Sequence, residues 1–174
     1  FDKKIALIDG AMGTALQDLN LTAADFGGEE LEGCNENLIL TRPDVILSIH
    51  KKYFQAGCDI VETNTFGATP LVLGEYNLTD KAYEINVKAA QLARQAAAEL
   101  STPTQPRFVA GAIGPTTKAI SVTGGVTFEE LIEHFTVQAR GLLDGGADYF
   151  LIETCQDTRN IKAALLAIDV VCKE

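Results

Sequence analysis

The sequence predicts an α/β fold, the first four βα units of a (β/α)8 barrel with parallel strands inside and helices outside. Three observations carry this reading. Four short apolar runs alternate with four longer segments of helical periodicity across 174 residues. The runs are apolar almost throughout, as expected of parallel strands covered on both faces. Polar residues cluster where three of the four runs end, and a barrel keeps its site at the C-terminal ends of its strands.

The first run is Ile5–Ile8, followed by Asp9-Gly10-Ala11-Met12-Gly13-Thr14 and a polar, loop-like stretch from about Leu21 to Asn37. A helix then opens at Thr41-Arg42-Pro43-Asp44, with Thr41 as the expected cap and Pro43 in the first turn. Val45, Ile46, Ile49 and Tyr53 share one face, and Gly57 ends the helix. The second run, Asp59 to Gly67, leads to an Ala-rich helix that begins near Thr79-Asp80 and ends near Leu100. A Ser/Thr/Pro linker, Ser101 to Pro106, precedes the third run, Phe108 to Pro115. Thr127-Phe128-Glu129-Glu130 reads as a capping box, and Gly145-Gly146 stop that helix. The fourth run, Tyr149–Ile152, is followed by Glu153-Thr154-Cys155-Gln156-Asp157 and a helix through Val171. Gly57-Cys58-Asp59 leading to Glu62-Thr63 is echoed by Gly146-Ala147-Asp148 leading to Glu153-Thr154, which suggests a repeated βα unit.

A doubly wound open sheet is the rival architecture. It usually carries G-x-G-x-x-G after its first strand and an acidic residue about 20 residues on. Asp9–Thr14 lacks that spacing, and the segment after it reads as a loop rather than an immediate helix. A complete barrel needs eight units and typically about 250 residues. Residues 1–174 are therefore expected to be the N-terminal part of a barrel domain whose second half lies beyond the chain. A start at Phe1 rather than Met likewise suggests a segment removed upstream.

The net charge of −10 argues against a nucleic-acid surface. No apolar run approaches the roughly 18 residues of a membrane span. Cys34, Cys58, Cys155 and Cys172 are widely spaced, which suggests reduced thiols in the cytoplasm and small apolar residues in the core rather than metal ligands. His50 and His134 fall inside helices and read as surface or packing residues.

The candidate site residues are the polar groups at strand ends: Asp9, Glu62 with Asn64, and Glu153 with Asp157. Asp9 is either a turn former or a carboxylate that receives a substrate ammonium. Glu153 leaves a buried strand, where a carboxylate is costly unless paired; a bound amino group or a structural ion pair would serve. Glu62 is the analogous residue one repeat earlier, with Thr63, Asn64 and Thr65 as local hydrogen-bond partners. Met12 lies between two glycines, in a loop whose backbone N–H groups suit a substrate carboxylate.

The same residues carry a family resemblance. Leu7–Thr14, Gly33–Asn37, Leu40–Ile46, Gly57–Phe66, Val109–Pro115 and Leu151–Thr154 resemble, in order, the motifs of the homocysteine S-methyltransferase family. Within it, Asn35-Glu36-Asn37 and Thr41–Ile46 are most similar to the cobalamin-dependent branch that makes methionine. The resemblance implies a TIM barrel that binds homocysteine, with zinc holding the thiolate that attacks a methyl group. It implies methylcobalamin as donor, recharged by folate and cobalamin modules of the same polypeptide. It places the amino acid's polar end on Asp9, Gly10, Ala11, Met12 and Glu153, and Asn64 is added as a neighbouring strand-end contact. The family's zinc ligands include two adjacent cysteines on strands of the second half, and no adjacent pair occurs here. The expectation is therefore a substrate cradle without catalytic residue or metal ligand, inactive alone. The alternatives are a betaine- or S-methylmethionine-dependent homocysteine methyltransferase and a non-catalytic half-barrel that pairs with itself.

Overall fold

A computed structural model describes residues 5–174; Phe1, on which the expectation of an upstream segment rests, lies outside them. Among the described residues the order is α1 (Met12–Gln17), α2 (Ala23–Phe26), α3 (Leu38–Thr41), α4 (Pro43–Ala56), β1 (Ile60–Glu62), α5 (Pro70–Leu73), α6 (Ala82–Leu100), β2 (Phe108–Ile113), α7 (Phe128–Asp144), β3 (Tyr149–Ile152) and α8 (Thr158–Lys173). The three strands are parallel and lie side by side in chain order, β1-β2-β3. Helices α4, α6, α7 and α8 pack on one another in sequence, so they form one layer on one face of the sheet. A doubly wound sheet would distribute them over both faces and reverse its strand order.

The first apolar run is not a full strand. Ile8 makes a single parallel bridge to Ile60, while Ile5 and Leu7 are exposed. Its backbone nonetheless occupies a strand's place. Asp59 donates its N–H to the Leu7 carbonyl (2.7 Å), and its carboxylate accepts the Leu7 N–H (3.0 Å). Asp148 repeats the arrangement on Val109, donating to its carbonyl (2.9 Å) and accepting its N–H (2.7 Å). The Gly-x-Asp echo thus has a physical content: each aspartate ties a new strand to the one before it.

Several local expectations need correction. A helix, α1, follows the Asp9-Gly10 turn at once, so Met12 opens a helix rather than lying in a loop. The stretch Leu21–Asn37 is structured as α2 and two 3-10 turns, Glu29–Leu31 and Asn35–Asn37. Thr41 does not cap α4; it ends α3 and donates its hydroxyl to the Asn37 carbonyl (3.2 Å). Arg42 takes the junction, pairing with Asp44 (2.9 Å) and with Asp25. Pro43 does open α4, and Gly57 closes it at φ +114°, a conformation that favours glycine. Cys34 is buried, but Cys58 and Cys155 are half-buried and Cys172 is exposed, so the cysteines are not uniformly core residues.

The core lies between the sheet and the helix layer. Val61 and Val109 pack with Phe54, Ala93, Ala96 and Ala97. Ile113 packs with Leu131, Phe135, Leu142 and Ala163 of α7 and α8. His50 is fully buried on α4, where desolvation lowers its pKa to about 4, and His134 is half-buried on α7. Among the described residues no helix is long and apolar enough to cross a membrane.

Candidate functional site

At the C-terminal ends of the strands the chain surrounds a cavity of about 440 Å³. Four carboxyl groups line it: Asp9 after the Ile8 bridge, Glu36 in the second 3-10 turn, Glu62 at the end of β1, and Glu153 just past β3. Gly10, Ala11, Met12, Gly13, Asn35, Thr63, Asn64 and Phe66 complete the lining. No Lys, Arg or His is among these described residues.

The strand ends explain why these groups meet. Because the strands are parallel, Glu62 and Glu153 emerge at the same, C-terminal end of the sheet, with β2 between them. Both oxygens of Asp9 accept the Glu62 N–H at 3.1 Å, tying the first apolar run to the end of β1. Thr154 turns the chain sharply away from β3 at φ +57°, in the left-handed region that a β-branched residue rarely adopts. That turn leaves Glu153 at the cavity edge.

The electrostatics follow from burial and from like charges. Asp9 is pushed up from 3.8 to about 7 by burial, with a contribution from Glu153 and an opposing one from the Glu62 N–H. Glu62 is pushed up from 4.5 to about 8 by burial first, then by Glu153 and Asp9. Burial also raises Glu36, against the Gly67 N–H that it accepts. Asp9 and Glu62 therefore hold protons near neutral pH, and a cation placed among these carboxyls would oppose the shifts.

The cavity therefore gathers every substrate-site residue expected from sequence: Asp9, Gly10, Ala11, Met12, Asn64 and Glu153. Asn64 is already engaged, donating its side-chain amide to the Asn35 carbonyl (2.7 Å). Asp157 stands apart from the lining. It caps α8 by accepting the Arg159 N–H (2.9 Å) and holds the loop between β2 and α7 through the Ser121 N–H (2.7 Å). Sequence reasoning missed Glu36 and Phe66. Glu36 was visible only as part of Asn35-Glu36-Asn37, and its carboxyl reaches the site by folding back on Gly67, 31 residues away. Among the described residues no group of three or more His, Cys, Asp or Glu side chains is placed to hold a metal ion.

Known proteins give an independent comparison. The family model described as homocysteine S-methyltransferase matches residues 6–173. The chain is 48% identical to methionine synthase of Mycobacterium leprae over 164 residues, which is 94% of this chain and 13% of that protein. It is 47% identical to methionine synthase of Mycobacterium tuberculosis, again over 94% of this chain and 14% of that protein. The chain thus spans about one-seventh of the length of these relatives. Among solved structures, the oxidized form of the homocysteine methyltransferase MmuM from Escherichia coli superposes with a TM-score of 0.79 at 25% identity, covering 99% of this chain and 61% of that one. Its metallated form gives a TM-score of 0.79 at 26% identity, with 99% and 62% covered.

Proposed function

Because the chain belongs to the homocysteine S-methyltransferase family, we propose that its cavity holds the amino-acid end of homocysteine while the substrate's sulfur is methylated to give methionine. One observation carries this reading: Asp9, Glu62 and Glu153 converge where, among the described residues, no lining residue supplies a positive charge. These carboxyls are half-buried, a setting in which a charged carboxylate gains from a partner, and a substrate ammonium is one. It would sit between Asp9 and Glu153, with Glu62 beside them. Backbone groups of Gly10, Ala11 and Met12 would face the substrate carboxylate. Asn64, fixed by Asn35, would position the adjoining strand end.

The reaction needs the thiolate, which is the nucleophile. Its sulfur forms a bond to the methyl carbon as the donor leaves. The residues of this chain contribute orientation: both charged ends of the amino acid are held, so the sulfur end points away from the carboxyls. In this reading zinc would stabilise the thiolate, and methylcobalamin would supply the methyl group. No donor set in the described residues fits a metal ion. Metal, donor and folate chemistry are assigned to other parts of the polypeptide, and residues 1–174 to the first four units of a (β/α)8 barrel domain, inactive alone and cytoplasmic. The 48% identity to a methionine synthase supports a reaction of that type, with methylcobalamin as donor, over a betaine- or S-methylmethionine-type donor.

The test is to express the natural full-length protein and measure bound metal, homocysteine binding and methionine formation with methylcobalamin. The expected result is bound zinc and methionine production. A full-length protein that binds neither zinc nor homocysteine would overturn the reading.

A further inference from the structure

We infer that Glu36 is a positioning residue: by holding the Gly67 amide it fixes the loop that presents the Phe66 ring to the aliphatic chain of homocysteine. This rests on the function proposed above.

Phe66 is unusual for its surroundings. Residues 63–65 and 67–70 are all buried, yet Phe66 is 42% exposed and lines the cavity. A large apolar ring held out on an otherwise buried loop calls for an apolar counterpart, and among the candidate ligand's groups only the methylene chain is apolar. The loop around it is tied on every side. The Thr65 carbonyl accepts from Gln138 (2.7 Å), and the Thr65 hydroxyl donates to the Ala112 carbonyl (2.7 Å). The Phe66 carbonyl accepts the Gly114 N–H (3.1 Å), and a Cβ on Gly114 would stand 2.6 Å from that oxygen and 2.7 Å from the ring. Only glycine admits this approach.

On the cavity side the tie is Glu36, whose carboxyl oxygen accepts the Gly67 N–H at 2.7 Å. Glu36 therefore differs from Glu153 in the proposed site. Its oxygen is engaged with backbone, and what the site requires from it is an acceptor rather than a charge. Glutamine keeps an acceptor oxygen at nearly the same reach, and alanine removes it.

The experiment compares Glu36→Gln and Glu36→Ala in the full-length protein. Homocysteine affinity is measured by calorimetry, and Gly67 amide exchange by hydrogen–deuterium methods. The expected result is that Glu36→Ala weakens homocysteine binding about tenfold and speeds Gly67 exchange, whereas Glu36→Gln restores most of both. Phe66→Ala should weaken binding to a similar degree, and Phe66→Leu less. Glu36→Gln as weak as Glu36→Ala would make the charge the binding element and overturn the inference. So would unchanged Gly67 exchange in Glu36→Ala. A parent protein that fails to bind homocysteine would contradict the function itself, and the exchange measurement, which needs no ligand, tells the two failures apart.

Discussion

Asp9 and Glu153 face the same cavity but carry different burdens. Asp9 accepts the Glu62 amide through both oxygens, so it secures the first strand position as well as lining the site. Glu153 is the cleaner probe of ligand recognition. Glu153→Gln in the full-length protein is expected to weaken homocysteine binding at least about tenfold, since the charge-assisted contact proposed for it would be lost; unchanged affinity in calorimetry would make its role structural. Titration supplies a second prediction. Asp9 and Glu62 bind protons more tightly folded, with values of about 7 and 8, than in the unfolded chain, near 3.8 and 4.5. The folded state then holds more protons than the unfolded state between those limits, so stability falls as pH rises through the window. Thermal melts should show the ligand-free protein losing stability from about pH 5 to 8, and Glu62→Gln should flatten that slope. A parent slope of the opposite sign would contradict the assignment. Asp9, Glu62 and Glu153 were legible in the sequence because each follows an apolar run. Glu36 and Phe66 were not, because their place depends on a contact made across 31 residues.

At the scale of elements, the helix layer depends on close approach between α6 and α7. A Cβ on Gly141 would lie 2.7 Å from the Asn86 Cβ and 2.9 Å from the Tyr83 carbonyl. One on Gly145 would lie 2.5 Å from the Val87 carbonyl. Gly141→Ala should therefore destabilise the protein by about 1–3 kcal/mol in urea denaturation, despite alanine's better helix propensity, because overpacking has no room to relax. Thr127→Ala removes the hydroxyl that accepts the Glu130 N–H (3.2 Å) and should cost about 1 kcal/mol by the same measurement. The long helices and the Thr127 capping box were legible because periodicity over several turns is hard to mistake. The short helices α1, α2, α3 and α5 span four to six residues. That is too few for a period to declare itself, which is why Leu21–Asn37 reads as loop. The Gly145 reading, a stop signal in sequence, also gains a packing role that only its neighbours on α6 disclose.

At the scale of the molecule, three parallel strands in chain order and one helix layer match the arc of a barrel wall, with the Ile5–Ile8 segment standing where a further strand would run. Tyr149 on β3 and Leu165, Leu166 and Val170 on α8 are exposed apolar residues at one edge, as Ile5, Leu7 and Ile8 are at the other. Alternation of runs and helices made the class legible. It could not decide whether Ile5–Ile8 pairs fully, since pairing depends on neighbours and not on the run itself. Solution size separates the half-barrel that pairs with itself from the domain reading: self-pairing requires a stable dimer of the 174-residue chain. The proposed selection of homocysteine by the carboxyl-lined cavity rests on the ammonium group. It is tested most directly by comparing, in the full-length protein, calorimetric binding of homocysteine with binding of its des-amino analogue, 4-mercaptobutanoate. Homocysteine should bind saturably and the analogue should lose binding; equal affinity for the two would show that the cavity does not recognise the ammonium group.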